Sequence, residues 1–275
     1  MGVTITVLGS GSPIPDPNRA GAATLVQSGS TRLLVDAGRG VLMRLAGSGV
    51  LPIGLDAVLL THLHSDHITD LNDVITTRWV MSPGPSPLHI YGPRDTQRVV
   101  DGVLAMLAPD ISYRVAHHGD LTWEPPVEVH ELDGTEELTI GDATLNVGPT
   151  DHRPVEPSIG YRISHEGRSA VLAGDTVPCS GLESLCAGAH AYVQTVIRAD
   201  LVVKIVSPRL NDILDYHSTI EQAAETAAKA GVETLVCTHF VPGIFPGQEE
   251  EWRAKAAAHF TGTVVIANDG TVVEA

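Results

Sequence analysis

The sequence predicts an α/β (α+β) protein, an αββα four-layer sandwich in which two sheets pack face to face with helices outside. Apolar strand-like runs and helical spacing alternate early in the chain: Ala57 to Leu60 is a buried-strand pattern, and Ile68, Leu71, Val74, Ile75 and Trp79 then recur at helical intervals. From about residue 127 the chain turns strand-rich, with runs at 127–132, 137–140, 143–147, 159–163 and 170–173 that mirror the first half. Polar residues of ligand type also recur where these runs end. At 275 residues without a flexible linker, the expectation is a single domain, 1–275, of two pseudo-symmetric halves, about 1–140 and 141–275.

Taken in order, Ile5 to Leu8 reads as a strand running into the Gly9-Ser10-Gly11-Ser12-Pro13 loop. Ala23 to Gln27 and Arg32 to Val35 form a hairpin across Ser28-Gly29-Ser30. Asp36 follows as either a turn former or the orienter of a metal ligand. Pro83, Pro85 and Pro87 stop the helix before them, Leu88 to Tyr91 is a strand, and Pro93 to Leu107 a helix. His117 and His118 are rim residues, whereas His89, His130, His165, His190 and His259 read as isolated structural histidines. Near the end, Ser218 with Glu221 three residues on forms a capping box for the helix Gln222 to Ala230, which Gly231 closes.

The run Thr61-His62-Leu63-His64-Ser65-Asp66-His67 carries the chemistry. His62 and His64 are two apart in an extended segment and project to one side, with Asp66 and His67 following as the chain turns into a helix. That spacing feeds two adjacent ions. Imidazole and carboxylate suit zinc, with manganese and iron as alternatives. Later strand ends add His152, Asp175 and His239, completing a candidate ligand set of His62, His64, Asp66, His67, His152, Asp175 and His239. A carboxylate such as Asp175 can bridge two cations, and a hydroxide between them is a nucleophile at neutral pH. His217, just before a helix, is placed to protonate a leaving oxygen.

Composition excludes several other classes. A formal charge of −16 disfavours a broad nucleic-acid surface, because phosphate neutralisation dominates such binding. No apolar run reaches the roughly 20 residues that cross a bilayer, and the N-terminus has no basic region before an apolar core, so a cytoplasmic protein without a membrane partner is expected. Cys179, Cys186 and Cys237 fit a reducing compartment rather than a disulfide framework. The lone glycine-rich turn lacks both the dinucleotide fingerprint and the phosphate-loop ending.

With these residues assembled, the chain resembles the metallo-β-lactamase superfamily over essentially its full length, and within it the ribonuclease Z and arylsulfatase-like branch. The marks are Thr61 to His67, His152 running into Gly160-Tyr161-Arg162, Gly174-Asp175-Thr176, His217-Ser218-Thr219 and Thr238-His239-Phe240. The resemblance implies the metallo-β-lactamase fold, two zinc ions and a homodimer. It assigns His62, His64 and His152 to one ion, Asp66, His67 and His239 to the other, and Asp175 to both. It makes Asp66 the residue that orients or deprotonates water, and His217 the one that assists phosphate binding and leaving-group protonation.

Three departures qualify the substrate. The branch carries a long tRNA-gripping arm between the Gly-Tyr segment and the Gly-Asp-Thr motif, but here Tyr161 and Gly174 leave room for one hairpin. The glutamate that supports the catalytic histidine is replaced in the run Gln194-Thr195-Val196-Ile197, and the His152 to Gly160 interval is slightly longer. The expectation is therefore a dinuclear phosphodiesterase using a metal-bound hydroxide on small or cyclic anionic esters rather than tRNA. Its alternatives are an arylsulfatase-like enzyme, a true tRNA 3′ processing endoribonuclease, and a non-catalytic metal-stabilised dimeric binding protein. Phe240 to Gly247, with Trp79 and Trp123, supplies apolar surface for a substrate mouth or a subunit interface.

Overall fold

The computed structural model describes residues 2–275. The chain runs through β1 (Val3–Gly9), β2 (Ala23–Ser28), β3 (Thr31–Val35), β4 (Ala57–Leu59), β5 (Leu88–Pro93) and β6 (Val127–Leu132). It continues through β7 (Glu137–Ile140), β8 (Ala143–Pro149), β9 (Ile159–His165), β10 (Arg168–Leu172), β11 (Ala191–Ile197), β12 (Thr234–Val241), β13 (Thr263–Ile266) and β14 (Thr271–Glu274). Two mixed seven-stranded sheets result, ordered β14-β1-β2-β3-β4-β5-β6 and β13-β12-β11-β10-β9-β8-β7. The strand-rich stretch beginning at residue 127 therefore divides. β6 closes the first sheet, pairing parallel to β5, and β7 begins the second. The last strand, β14, returns to pair with β1.

The helices are α1 (Val41–Gly47), α2 (Ser65–Ile68), α3 (Leu71–Met81), α4 (Thr96–His117), α5 (Ser180–Cys186), α6 (Ala199–Val202), α7 (Pro208–Asp212), α8 (Ile220–Ala230) and α9 (Glu249–Ala257). Between the sheets, Val3, Ile5, Leu33 and Leu59 meet Leu145, Tyr161, Ile163 and Leu172. On one outer face Leu34, Val58 and Ile90 pack against Leu45, Leu71 and Val74 of the helices, and on the other Val171, Tyr192 and Leu235 pack against Ala223, Ala227 and Trp252. These separate cores make the expected four layers.

Several local expectations change. α4 starts at Thr96 and runs through Pro109 to His117, well past Leu107. The cap of α8 lies one residue later than Ser218: Thr219 Oγ1 accepts from the Gln222 amide and Gln222 reaches back to the Thr219 amide. Ser218 instead donates its hydroxyl to the Thr176 carbonyl, which ties the segment after His217 to the Asp175 loop. Trp79 is buried with Ile111 and Leu121, and Trp123 packs on them. These two tryptophans thus build a small core with α4, not the substrate mouth or subunit interface.

Candidate metal centre

β4 delivers the ligand run at its carboxyl end, where contacts from both sheets hold it. The Thr61 amide and hydroxyl both donate to the Asp36 carboxylate, at 2.8 and 2.9 Å. From the second sheet, the Ile159 amide donates to the Thr61 carbonyl at 2.9 Å and the buried Tyr161 hydroxyl to the Leu60 carbonyl at 2.8 Å. Gly174, with φ of 64°, turns the chain so that Asp175 faces this run; a side chain at 174 would meet Thr61 Oγ1 at 2.6 Å.

The ring-nitrogen partners settle which imidazole atoms face inward. His62 Nδ1 donates to Thr61 Oγ1, His67 Nδ1 to Asp36 and His152 Nδ1 to the Tyr216 carbonyl, at 3.1, 2.8 and 2.9 Å. With Nδ1 engaged in each case, Nε2 is the nitrogen that these rings turn toward the centre, the orientation a metal needs. His64 Nδ1 lies 3.2 Å from Nε2 of both His62 and His152. Ligand nitrogens about 2.0–2.1 Å from a tetrahedral zinc stand about 3.3 Å apart, so these separations match edges of such a polyhedron.

Asp175 is the hub. Its Oδ2 lies 3.1 Å from His217 Nε2, 3.5 Å from His67, 3.7 Å from His239 and 3.8 Å from His62 and His152. His62, His64, His152 and Asp175 form one set with ligand atoms within 4.8 Å of one another, and Asp66, His67 and His239 form another. His217 joins Asp175 and His239 in a third overlapping set. All eight candidate residues are thus brought together, from β4, β8, β10, β12 and the turn before α8.

Burial holds the His62 and His64 imidazoles below their usual range and pushes His152 down to about 4, so these three are neutral. On the other side burial is outweighed: Asp175 and Asp36 raise His67 well above its usual value, and Asp175 and Asp66 raise His239. Burial likewise fails to raise Asp66 and Asp175, because the surrounding histidines, His239 first in each case, keep both carboxylates ionised. His67 Nε2, Asp175 Oδ1 and His239 Nδ1 are buried without a hydrogen-bond partner. Orphaned polar atoms of this kind cost about 1–3 kcal/mol each, and a cation at His67 and Asp175 removes that cost. The donor set therefore fits divalent metal ions.

Two features were open or invisible in the sequence. Asp36 both turns the chain, with φ of 61°, and orients His67. The support lost with the missing glutamate comes from the backbone: His217 Nδ1 donates to the Ile213 carbonyl at 3.2 Å, while Gln194 bonds Tyr192 and the Gly174 carbonyl. His117 and His118 are exposed at the end of α4, as expected for rim residues. His165, His190 and His259 each have a local partner, respectively the Asp142 carbonyl, the Ser169 amide and Glu225. His89 and His130, however, are not isolated; they meet across β5 and β6.

A four-layer sandwich with histidine and aspartate clusters at converging strand ends defines a class of protein, the metal-dependent hydrolases of ester bonds. The model of the beta-lactamase superfamily domain matches residues 31–240, and the chain belongs to that family. It is 57% identical over 267 residues to a ribonuclease Z of Mycobacterium bovis, covering 96% of this chain and 95% of that protein. A ribonuclease Z of Mycobacterium marinum is 56% identical, with 97% and 96% covered. Among solved structures, the metallo-beta-lactamase fold protein YhfI of Bacillus subtilis superposes with a TM-score of 0.78 at 25% identity, covering all of both chains. The short form of human tRNase Z gives 0.69 at 22% identity over 98% of each chain, a likeness of fold.

Proposed function

We propose that the protein is a dinuclear zinc phosphodiesterase acting on small or cyclic phosphodiesters as a homodimer. His62, His64 and His152 hold one ion, Asp66, His67 and His239 the other, and Asp175 faces both. Bound zinc supplies positive charge for the phosphoryl oxygens and lowers the pKa of water. Asp66, kept ionised by His239, receives a proton from the attacking water. As the new phosphorus–oxygen bond forms and the old one breaks, His217 delivers a proton to the departing oxygen. The observation that carries this reading is the position of His217, buried and 3.1 Å from Asp175 Oδ2, the carboxylate oxygen around which the histidines gather. A purely structural metal clip has no use for that imidazole.

Small substrates are favoured by the surroundings. β9 and β10 join through a tight hairpin at Glu166 and Gly167, where the branch's arm was expected to be absent. Arg153, next to His152, is engaged by Asp151 at 2.6 Å rather than free for phosphate. Beside His239, an apolar cavity of about 600 Å³ lined by Ile14, Leu210, Phe240, Ile244 and Phe245 offers room for a base or aryl group. Exposed Ile14 and Phe245 also supply apolar surface for a second copy, which sedimentation of the purified protein tests.

A second reading, cleavage at the 3′ side of precursor tRNA, is favoured by the relatives' name. They match over 95–96% of their own length, so a long insertion does not distinguish this chain from them. Turnover of bis(p-nitrophenyl) phosphate, a cyclic nucleotide, an aryl sulfate and a precursor tRNA by the zinc-loaded protein separates these readings. Inertness toward every phosphodiester sinks the proposal, and tRNA cleavage far faster than small-ester turnover replaces it with the second.

A further inference from the structure

The open edge of the first sheet carries another group of metal-binding side chains. β6 is the edge strand, and its parallel register with β5 sets His89 beside Glu128 and Tyr91 beside His130. Strand alternation sends Leu88, Ile90, Val127 and Val129 into the core beneath the helices. His89, Glu128 and His130 consequently leave the opposite face of the sheet together.

Their atoms converge. His89 Nδ1 lies 3.3 Å from His130 Nε2 and 3.4 Å from a Glu128 carboxylate oxygen, and the three donor atoms fall within 4.8 Å of one another. The His130 ring is stacked on Tyr91 with centroids 4.4 Å apart and planes inclined by 16°, which fixes its direction. Both short separations equal, within about 0.1 Å, the ligand–ligand edge of a tetrahedral zinc site. The side chains of His89 and Glu128 are 40% and 55% exposed, so an ion reaches them from solvent and a fourth position stays open to water.

We propose that His89, Glu128 and His130 form a third metal site, selective for zinc-like divalent ions, that fastens the edge strand β6 to β5. It shares no residue with the catalytic cluster and does not depend on the function proposed for it. An exposed edge strand presents unpaired backbone groups and frays readily, and a cation linking side chains of β5 and β6 opposes that fraying.

The test compares the full-length wild type with His89→Gln/His130→Gln, each stripped with a chelator and titrated with zinc. The double variant should take up one equivalent less than wild type, with unchanged turnover of bis(p-nitrophenyl) phosphate. In wild type alone, zinc should also slow amide exchange across residues 127–132. If the double variant fails to fold, Glu128→Gln, which alters only a half-exposed carboxylate, should fold and weaken the edge site about tenfold or more. Equal zinc uptake by the wild type and the folded variant, or exchange at 127–132 that ignores zinc, overturns the proposal. A simple histidine–histidine hydrogen bond then accounts for the contact.

Discussion

His67 Nδ1 and Asp36 Oδ2 lie 2.8 Å apart, both buried, at the point where β3 ends and the ligand run after β4 turns into α2. Asp36 also binds the Thr61 amide and hydroxyl, so one carboxylate sets the direction of a ligand and the path of the segment that carries it. Asp36→Asn should preserve the fold but weaken the ion at the Asp66, His67 and His239 set by about 10- to 100-fold. Zinc titration with a competing chelator measures it.

Metal uptake should be strongly pH-dependent. In the metal-free protein Asp175 and Asp36 hold His67 protonated well above its usual range, and Asp175 holds His239 up in the same sense. Because their folded pKa values are raised, the stability these charges give the metal-free protein is complete below the unfolded value, about 6.5, and is lost as pH rises through the raised values. A metal must displace those protons, so affinity should fall by about tenfold per pH unit for each proton released. Titrations at about pH 8 and about pH 6 should show the weaker binding at the lower pH.

His217→Ala should slow hydrolysis of a phosphodiester with an alkoxide leaving group by about 10²- to 10⁴-fold. The p-nitrophenyl ester, whose leaving group departs without a proton, should be affected far less. Zinc content should be unchanged. Equal losses on both esters would assign His217 to substrate binding instead.

A remote ion pair contributes to acid stability. Arg198 is buried, stacks over Trp252 and donates to Asp200 at 2.7 and 2.8 Å, which holds the Asp200 carboxyl down at about 2. This depressed value means that the pair's contribution is complete above about pH 4 and lost as pH falls through about 2. Asp200 is 44% exposed, so Asp200→Asn should cost only about 1 kcal/mol at neutral pH. Urea unfolding should show that difference shrinking as pH falls toward about 2.

The inter-sheet core draws on both halves of the chain, and β14 closes the first sheet from the far end. We propose that the chain unfolds as one unit. Calorimetric and van't Hoff enthalpies of the metal-loaded protein should then agree, whereas two separated transitions would show that the halves unfold independently.

Much of this was legible in local pattern. The short apolar runs Ile5 to Leu8 and Ala57 to Leu60 mark strands, and the residues that follow Ala57 to Leu60, Ala170 to Ala173 and Thr234 to Cys237 are rich in donors. The cap of α8 was misplaced by one residue because Ser218 and Thr219 are both good caps, and only the Thr176 carbonyl, brought near by the fold, claims the Ser218 hydroxyl. The sequence leaves Trp79 open between a mouth and a subunit interface because an aromatic at helical spacing carries no mark of the face it will bury. α4 outran its expected end because the pattern of the segment weakens beyond Leu107.

By itself, then, the sequence determined the layer architecture and the chemical identity of the donors, since strand alternation, helical spacing and residue type are local properties. Only the tertiary structure decided how the donors meet. The five imidazoles around Asp175 Oδ2 come from positions 62, 67, 152, 217 and 239, and their distances depend on two sheets packing in one register. The same is true of His89, Glu128 and His130. They are unremarkable along the chain, and become neighbours because parallel pairing of β5 and β6 sets residues about forty positions apart side by side.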